Sequence, residues 1–427
     1  MKDGKILGFE LNEKTCQISF YNEASHEPET LETAVENYQL PLVLGYYQNA
    51  WVYGREAKRL ATINEGCTVS DLFRRAVHQE KIRVGAKTHE AIWLLAKYIQ
   101  LALEQFKNIE YITFSVPYTN IDISKMLKGI GQFIGVPKER VYVQDYKESF
   151  CHYMFYQPKE LWQYEAALFY CDGNEIRAYM LRKLRTITGR GNDVFVAVDE
   201  VARAQMQELA AIYPVLNVEK AKNADERFKT FIQGVFDKKV VSSVFLTGEG
   251  FENNWYPNSL KVLCNGRRAF IGNNLYSKGA CYTSYRRCRD YEGSPVYLDE
   301  TKMMEQICLR MRVNGKEAWY PIVAWGSHWY EADGQWEVLL EDTSDIEIHV
   351  ESLATGELEA ETVSLAGLPE RRDYSLRLSI ETMFLDEKTC KITFKDAGFG
   401  DFFPATDFQV EKVIHLGGSN GQFNSLS

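Results

Sequence analysis

Residues 6–20 read ILGFELNEKTCQISF. A strand-like run ends at Leu11, the polar group Asn12-Glu13-Lys14 interrupts it, and from Thr15 onward Cys16, Ile18 and Phe20 fall on alternate positions. That alternation is the period of a half-buried strand, and a short polar break between two such runs is a hairpin turn. Nearly the same ten residues return near the other end of the chain: LNEKTCQISF spans Leu11 to Phe20, and LDEKTCKITF spans Leu385 to Phe394. The residues flanking the two copies do not match. The pair is therefore read as one local hairpin reached twice, carrying no shared function. The first copy draws its interest from its position, where it opens a long α/β region.

Composition limits what that region can do. The chain has 427 residues, 45% of them hydrophobic and 13% aromatic, which is material for two or three packed units. A formal net charge of −10 argues against nucleic acid or an anionic membrane as the main partner, since both need a basic face. The nine cysteines are odd in number and scattered, with no Cys-x-x-Cys pair, so they outline neither a disulfide framework nor a zinc site. No apolar stretch is long enough to span a bilayer. A soluble protein of the reducing cytoplasm is expected.

Working outward from the hairpin, strand-like runs (Lys5–Leu11, Tyr111–Val116, Ala167–Cys171, Val240–Thr247) alternate with helical ones up to about Arg312. Alternation of this kind points to α/β layers. The longest helical signal covers Lys87 to Phe106, where Ile92, Leu95, Ala96, Ile99, Leu103 and Phe106 recur at steps of three and four. From about Val313 the helical period stops. Short β-rich runs (AWYPIVAW, WEVLLED, IEIHVES, YSLRLSIETMFL, CKITF) predict an antiparallel β-sandwich. The expected division is an α/β part at 1–312, with lobes at about 1–165 and 166–312, a β-domain at 313–416, and a flexible tail at 417–427.

Taken together, several segments resemble the ATPase domain of the seventy-kilodalton heat-shock chaperones, within the actin, chaperone and sugar-kinase superfamily. ILGFELNEKTCQISF falls where that family has its first phosphate hairpin. VYGREAKRLATINEGCTVSDLFRRA (52–76) resembles the family stretch that runs from Gly-Asp-Ala-Ala-Lys to Asp-Ala-Lys-Arg, matching at Gly54, Ala57, Lys58, Asn64, Thr68, Val69, Asp71 and Arg74. ITFSVPYTNIDISKMLKGIGQFIGVPKERVYVQDYKESFCHYMFY (112–156) is similar to the family's strand, Val-Pro, helix and second strand leading to Asn-Glu-Pro. AALFYCDGNEIRAYML lies at the place of the second phosphate hairpin, SSVFLTGEGF (242–251) at that of the adenosine turn, and SKGACYTSY (277–285) at that of a small-residue closing helix. No single piece is specific, but the order is right throughout.

What the resemblance implies is an actin-like ATPase fold of two ribonuclease-H-like lobes followed by the β-sandwich, with ATP or ADP and Mg²⁺ as ligands. Carried over position by position, it implies nucleotide contacts at Glu10, Asn12, Lys14, Gly173, Asn174, Gly248, Gly250 and Gly279, water-mediated Mg²⁺ at Glu10 and Asp172, and catalytic roles for Asp145 and Asp172. The departures are substantial. The first hairpin carries Glu10, Asn12, Glu13 and Lys14 where the family has Asp, Gly and hydroxyl residues, and the second keeps Asp172-Gly173 but replaces further glycines with Asn174, Glu175 and Ile176. The family's catalytic lysine falls on Phe73, with Arg74 beside it. Phosphoryl transfer depends on positioning and charge neutralisation, so these losses predict weak hydrolysis or none. The expected function is a nucleotide-responsive or pseudo-ATPase binding or regulatory protein whose β-domain engages a protein or peptide. The alternatives are an active chaperone-like ATPase and, less favoured, a small-molecule kinase.

Each candidate also has a plain structural reading. Glu10 suits a salt-bridged strand end, Asp172-Gly173 is a common hairpin turn, and Gly248 and Gly250 suit a tight turn with or without adenine. Cys151-His152 are adjacent on a helix and point apart. The aromatic run from Trp319 to Trp336 suits either an interface or the packing of a small β-domain.

Overall fold

A computed structural model describes residues 4–34, 37–184, 194–210, 218–289, 295–341, 345–353, 355–369, 371 and 376–417. The chain is mixed α/β and divides into two compact units, Met1–Arg182 with Val198–Glu292, and Lys183–Ala197 with Gly293–Ser427.

Two sheets, built mostly from the first unit, share their strand order over five strands. In one, Val141–Asp145, Ile109–Val116 and Lys5–Leu11 run parallel, and Thr15–Asn22 and Glu27–Thr30 follow as antiparallel neighbours. In the other, Arg268–Ile271, Val241–Thr247 and Glu165–Asp172 run parallel, Glu175–Lys183 folds back antiparallel, and Phe195–Gln205 lies beside it. The alternation in ILGFELNEKTC sorts the first strand. Leu7, Phe9 and Leu11 enter a core with Leu94, Leu95 and Ile99 of the helix Ala91–Ala102, while Gly8 and Glu10 face the opposite side. There the helix Leu275–Cys288 lies so close that a Cβ on Gly8 would sit 2.2 Å from the Cys281 nitrogen and the Ser277 oxygen. Hydroxyl pairs cross this interface: Ser19 and Ser277 meet at 2.8 Å, Thr113 and Ser284 at 2.7 Å.

The helical period read over Lys87–Phe106 yields a shorter helix. Lys87–Glu90 instead pairs antiparallel with Lys81–Val84 across a turn with Gly85 at φ +60°, because the polar Lys87-Thr88-His89-Glu90 offers no face for burial. On the second sheet, Phe228 and Ile232 of the helix Val218–Val235 pack on Phe169. Asp225 of that helix, 1% exposed, accepts the N–H groups of Asn258 and Ser259 at 2.8 Å and so fixes the start of the helix Pro257–Leu263.

In the second unit, Lys316–Val323, Glu305–Val313, Asp345–Ser352 and Leu358–Ser364 form one antiparallel sheet. Gly334–Leu339, Arg377–Asp386, Thr389–Asp396 and Gln409–His415 form another. Ile307, Leu309 and Ile348 of the first share a core with Ile380, Ile392 and Phe394 of the second. Arg312, where the sequence reading ends the α/β part, lies inside the strand Glu305–Val313. The tail at 417–427 lies outside the described residues except for Gly417, whose N–H donates to the Glu305 carboxylate. Among the described residues no helix is long and apolar enough to cross a membrane.

Candidate functional site

Three of the singled-out segments converge in the first unit. The turn after Lys5–Leu11 and the turn after Glu165–Asp172 approach each other, and Lys14 bridges them, with Nζ 3.3 Å from Asp172 Oδ1. The same ammonium lies 3.8 Å from Glu249 Oε2, in the Gly248-Glu249-Gly250 turn that follows Val241–Thr247. Burial alone pushes the Lys14 pKa down, but Asp172 and Glu249 outweigh it and hold it above the ordinary value. Both partners are about half exposed, so the pairs fix geometry more than they add stability.

The first turn is closed by its own side chain. Asn12 Oδ1 accepts the N–H groups of Lys14 (2.8 Å) and Thr15 (2.7 Å), and Asn12 Nδ2 donates to the Thr15 hydroxyl at 3.1 Å. An Asx turn of this kind uses the two amides that would otherwise point at an anion. In the second turn, Gly173 adopts φ +59° with open space around it, and the Asn174 carbonyl accepts the Met206 N–H at 2.6 Å. Gly248, at φ +100°, and Gly250 are demanded by packing. A Cβ on Gly248 would lie 2.1 Å from the Cys171 carbonyl oxygen, and one on Gly250 would lie 2.1 Å from Cys171 Sγ. Gly279 lets the helix Leu275–Cys288 cross the helix Tyr146–Phe155, where a Cβ would lie 1.9 Å from the Ser149 carbonyl oxygen.

Glu10 stands deeper than a solvated strand end. It is 8% exposed, accepts the Tyr146 hydroxyl at 3.2 Å on Oε1, and has no partner for Oε2 among the described residues. Burial pushes its carboxyl up to about 7 against the opposing pull of Tyr146. Its register neighbours make a polar row across the sheet: Gln17 on one side, Ser115 and then Gln144 on the other. Gln17 Oε1 and Gln144 Oε1 are likewise buried without a partner. Tyr146, which holds Glu10, stacks on Tyr276 at 3.9 Å between ring centres, with Tyr170 edge-on at 6.1 Å. Asp145 caps the helix Tyr146–Phe155 by accepting the Glu148 N–H at 2.8 Å, with Lys147 Nζ 3.9 Å away.

The structure thus gathers Asn12, Lys14, Asp172 and the Gly248–Gly250 turn, and it gives Gly248, Gly250 and Gly279 packing roles. Phe73 is 1% exposed in the core, and Arg74 pairs with Asp71 and Glu80 on the surface. Among the described residues no three His, Cys, Asp or Glu side chains gather into a metal-holding group. Sequence reasoning missed Tyr146, Tyr276, Gln17, Gln144 and Glu249. Only Glu249 carried a signal, as the charged residue between two required glycines.

A family profile described as the C-terminal part of a family of unknown function, DUF5716, matches residues 27–300. The chain belongs to the DUF5716 family. A second profile, a domain of unknown function termed DUF8552, matches residues 302–416 and so covers most of the all-β unit. No curated protein matches the chain. The DUF5716 match takes in Asp145, Asp172 and the Gly248–Gly250 turn, but it starts after the Asn12 hairpin.

Proposed function

We propose that this DUF5716 protein is a pseudo-ATPase: an actin-like fold of two ribonuclease-H-like lobes whose phosphate turns have become a structural latch, followed by a β-sandwich that engages a protein partner. Two sheets of equal strand order, each opening on a hairpin, support the fold reading. The observation that carries the function is the bridge from Lys14 to Asp172. An internal ammonium joins the two turns where the chaperones place phosphate, and Asn12 consumes the amides that would bind it.

The residues present do not suit a magnesium triphosphate. Glu10 is enclosed and held toward its neutral form, Asp172 is paired, and Glu13 and Glu249 add negative charge beside an anionic ligand's position. No lysine stands at the family's catalytic position, since Phe73 is core.

Calorimetric titration of the full chain with MgATP and MgADP tests this. The expected result is no heat, and no change in melting temperature, at millimolar nucleotide. Micromolar binding with Mg²⁺-dependent hydrolysis that Asp172→Asn abolishes would overturn it in favour of an active chaperone-like ATPase.

A further inference from the structure

The loop from Ala397 to Phe408 joins the strands Thr389–Asp396 and Gln409–His415, and it exposes aromatic rings on a stiff frame. Phe402 is 92% exposed, with Phe399 at 47% and Phe403 at 41%. Three large apolar rings within five residues would ordinarily fold inward or sit on a loose segment, and here neither holds. The backbone closes on itself through Phe399 N–H to Phe403 O at 2.6 Å. Gly398, at φ +62°, packs so tightly that a Cβ would lie 2.4 Å from the Ala405 nitrogen.

The root of the loop is a buried charge cluster. Asp396, 5% exposed, accepts the Gly398 and Thr406 N–H groups, both at 2.9 Å, the Thr406 hydroxyl at 2.8 Å, and two guanidinium bonds from Arg371 at 3.1 and 2.9 Å. Burial pushes its carboxyl up, but these bonds together hold it below the ordinary value. Arg371 also donates to the Pro404 carbonyl at 2.8 Å, and Arg377 to those of Gly398 and Ala397 at 3.0 and 3.2 Å. A pre-ordered loop loses little conformational freedom on binding, which is the property that lets a few aromatic anchors dominate an interface.

We infer that this loop is a docking knob that inserts Phe402, flanked by Phe399 and Phe403, into an apolar pocket on a protein partner whose rim carries lysine or arginine side chains. The rim follows from charge. Asp401 and Asp407 are exposed on the same loop, and among the described residues neither pairs with a base. A second copy of this chain carries the same net charge of −10, and an anionic bilayer has the same sign, so both repel the acidic tip. The inference rests on the partner-binding half of the proposed function and is independent of the nucleotide half.

The test places the photo-crosslinker p-benzoylphenylalanine at Phe402 of the full chain, and at the 59%-exposed Ile271 as control, with irradiation in cells of the source organism and mapping of the adduct. The expected adduct is one protein, joined at residues lining an apolar pocket with a basic rim. That purified protein should bind the wild-type chain, and at least tenfold more weakly the Phe402→Ser and Asp401→Lys variants at unchanged melting temperature. Binding should weaken with salt, while Asp172→Asn binds as wild type. An adduct to another copy of the chain, flotation of the protein with phosphatidylcholine vesicles, or no adduct beyond the Ile271 control overturns the inference. None of these outcomes bears on nucleotide binding.

Discussion

The two hairpins LNEKTC and LDEKTC share their turn hydrogen bonds but differ in the strand that enters the turn and in their surroundings. Asn12 Oδ1 accepts the Lys14 N–H at 2.8 Å, and Asp386 Oδ1 accepts the Lys388 N–H at 2.8 Å. The carbonyl of Lys14 takes the Leu42 N–H, and that of Lys388 takes the Leu416 N–H, each at 2.8 Å. Cys16 and Cys390 are both buried, and burial pushes both thiols up to about 12. The difference begins immediately before the turn, where Leu11 is buried in register with Cys16 while Leu385 bulges out of its ladder and is 55% exposed, and one residue earlier Glu10 stands where the other copy has the core residue Phe384. It continues in the lysines: Lys14 meets Asp172 and Glu249, whereas among the described residues Lys388 makes no ion pair. A ten-residue motif thus specifies a turn through local hydrogen bonds, and a buried face at its cysteine, isoleucine and phenylalanine positions only where the sheet supplies a partner. What the turn does depends on the sheet that carries it and the elements it faces.

Four measurements test how far the two hairpins are alike. Ile18→Ala and Ile392→Ala remove side chains 2% and 0% exposed, and each should cost about 2–5 kcal/mol in denaturant unfolding. A cost under about 1 kcal/mol for only one of them would break the equivalence of the two hairpin cores. Glu10→Gln comes next. The Glu10 carboxyl is raised from 4.5 to about 7, so the folded state keeps a proton that the unfolded state releases. The stability linked to it is present below about 4.5 and is lost as pH rises through 7, roughly 3 kcal/mol across that window. The wild type should therefore lose melting temperature between pH 5 and 8 relative to Glu10→Gln. Parallel pH profiles would show that Glu10 is ionised in the fold, as in a solvated strand end.

Lys14→Met should change stability by less than about 1 kcal/mol, because its ion pairs are half exposed, yet it should remove a salt-dependent component. Lys388→Met should leave salt dependence unchanged, and an equal response in both variants would sink the latch. The smallest effect is spectroscopic. Hydrogen bonds from the Lys388 N–H and from Thr389 hold the Asp386 carboxyl below its ordinary value of 3.8. Its contribution is present above that ordinary value and fades as pH falls through the lowered one. The Lys388 and Thr389 amide resonances should titrate below pH 3.8 in the wild type and lose that step in Asp386→Asn.

Local patterns were readable where each residue answers to its neighbours in the chain. The first strand, the hairpin turn, the strand before Gly248 and the β-rich character beyond Val313 all follow from alternation and turn chemistry. The helix over Lys87–Phe106 was read too long, because periodicity in Ile92–Ile99 was extended over polar residues that the neighbouring strand claims. The strands Leu358–Ser364 and Gln409–His415 went unread. They are edge strands with mostly exposed side chains, and their hydrogen bonds, which no composition reveals, hold them in place.

Tight turns at Asn12 and Asp386, a turn holding Gly248 and Gly250, and the change from α/β to all-β are all legible in the residues themselves. These are short-range consequences of side-chain size, polarity and period. Long-range packing is what encloses Glu10 beside Tyr146, carries Lys14 to Asp172, and leaves Phe402 in water while Phe394 is buried. A carboxylate, an ammonium and a phenyl ring have no fixed environment in the chain. Glu10 and Lys14 meet partners more than a hundred positions away, Phe394 packs on residues as far back as Met303, and only packing brings those together.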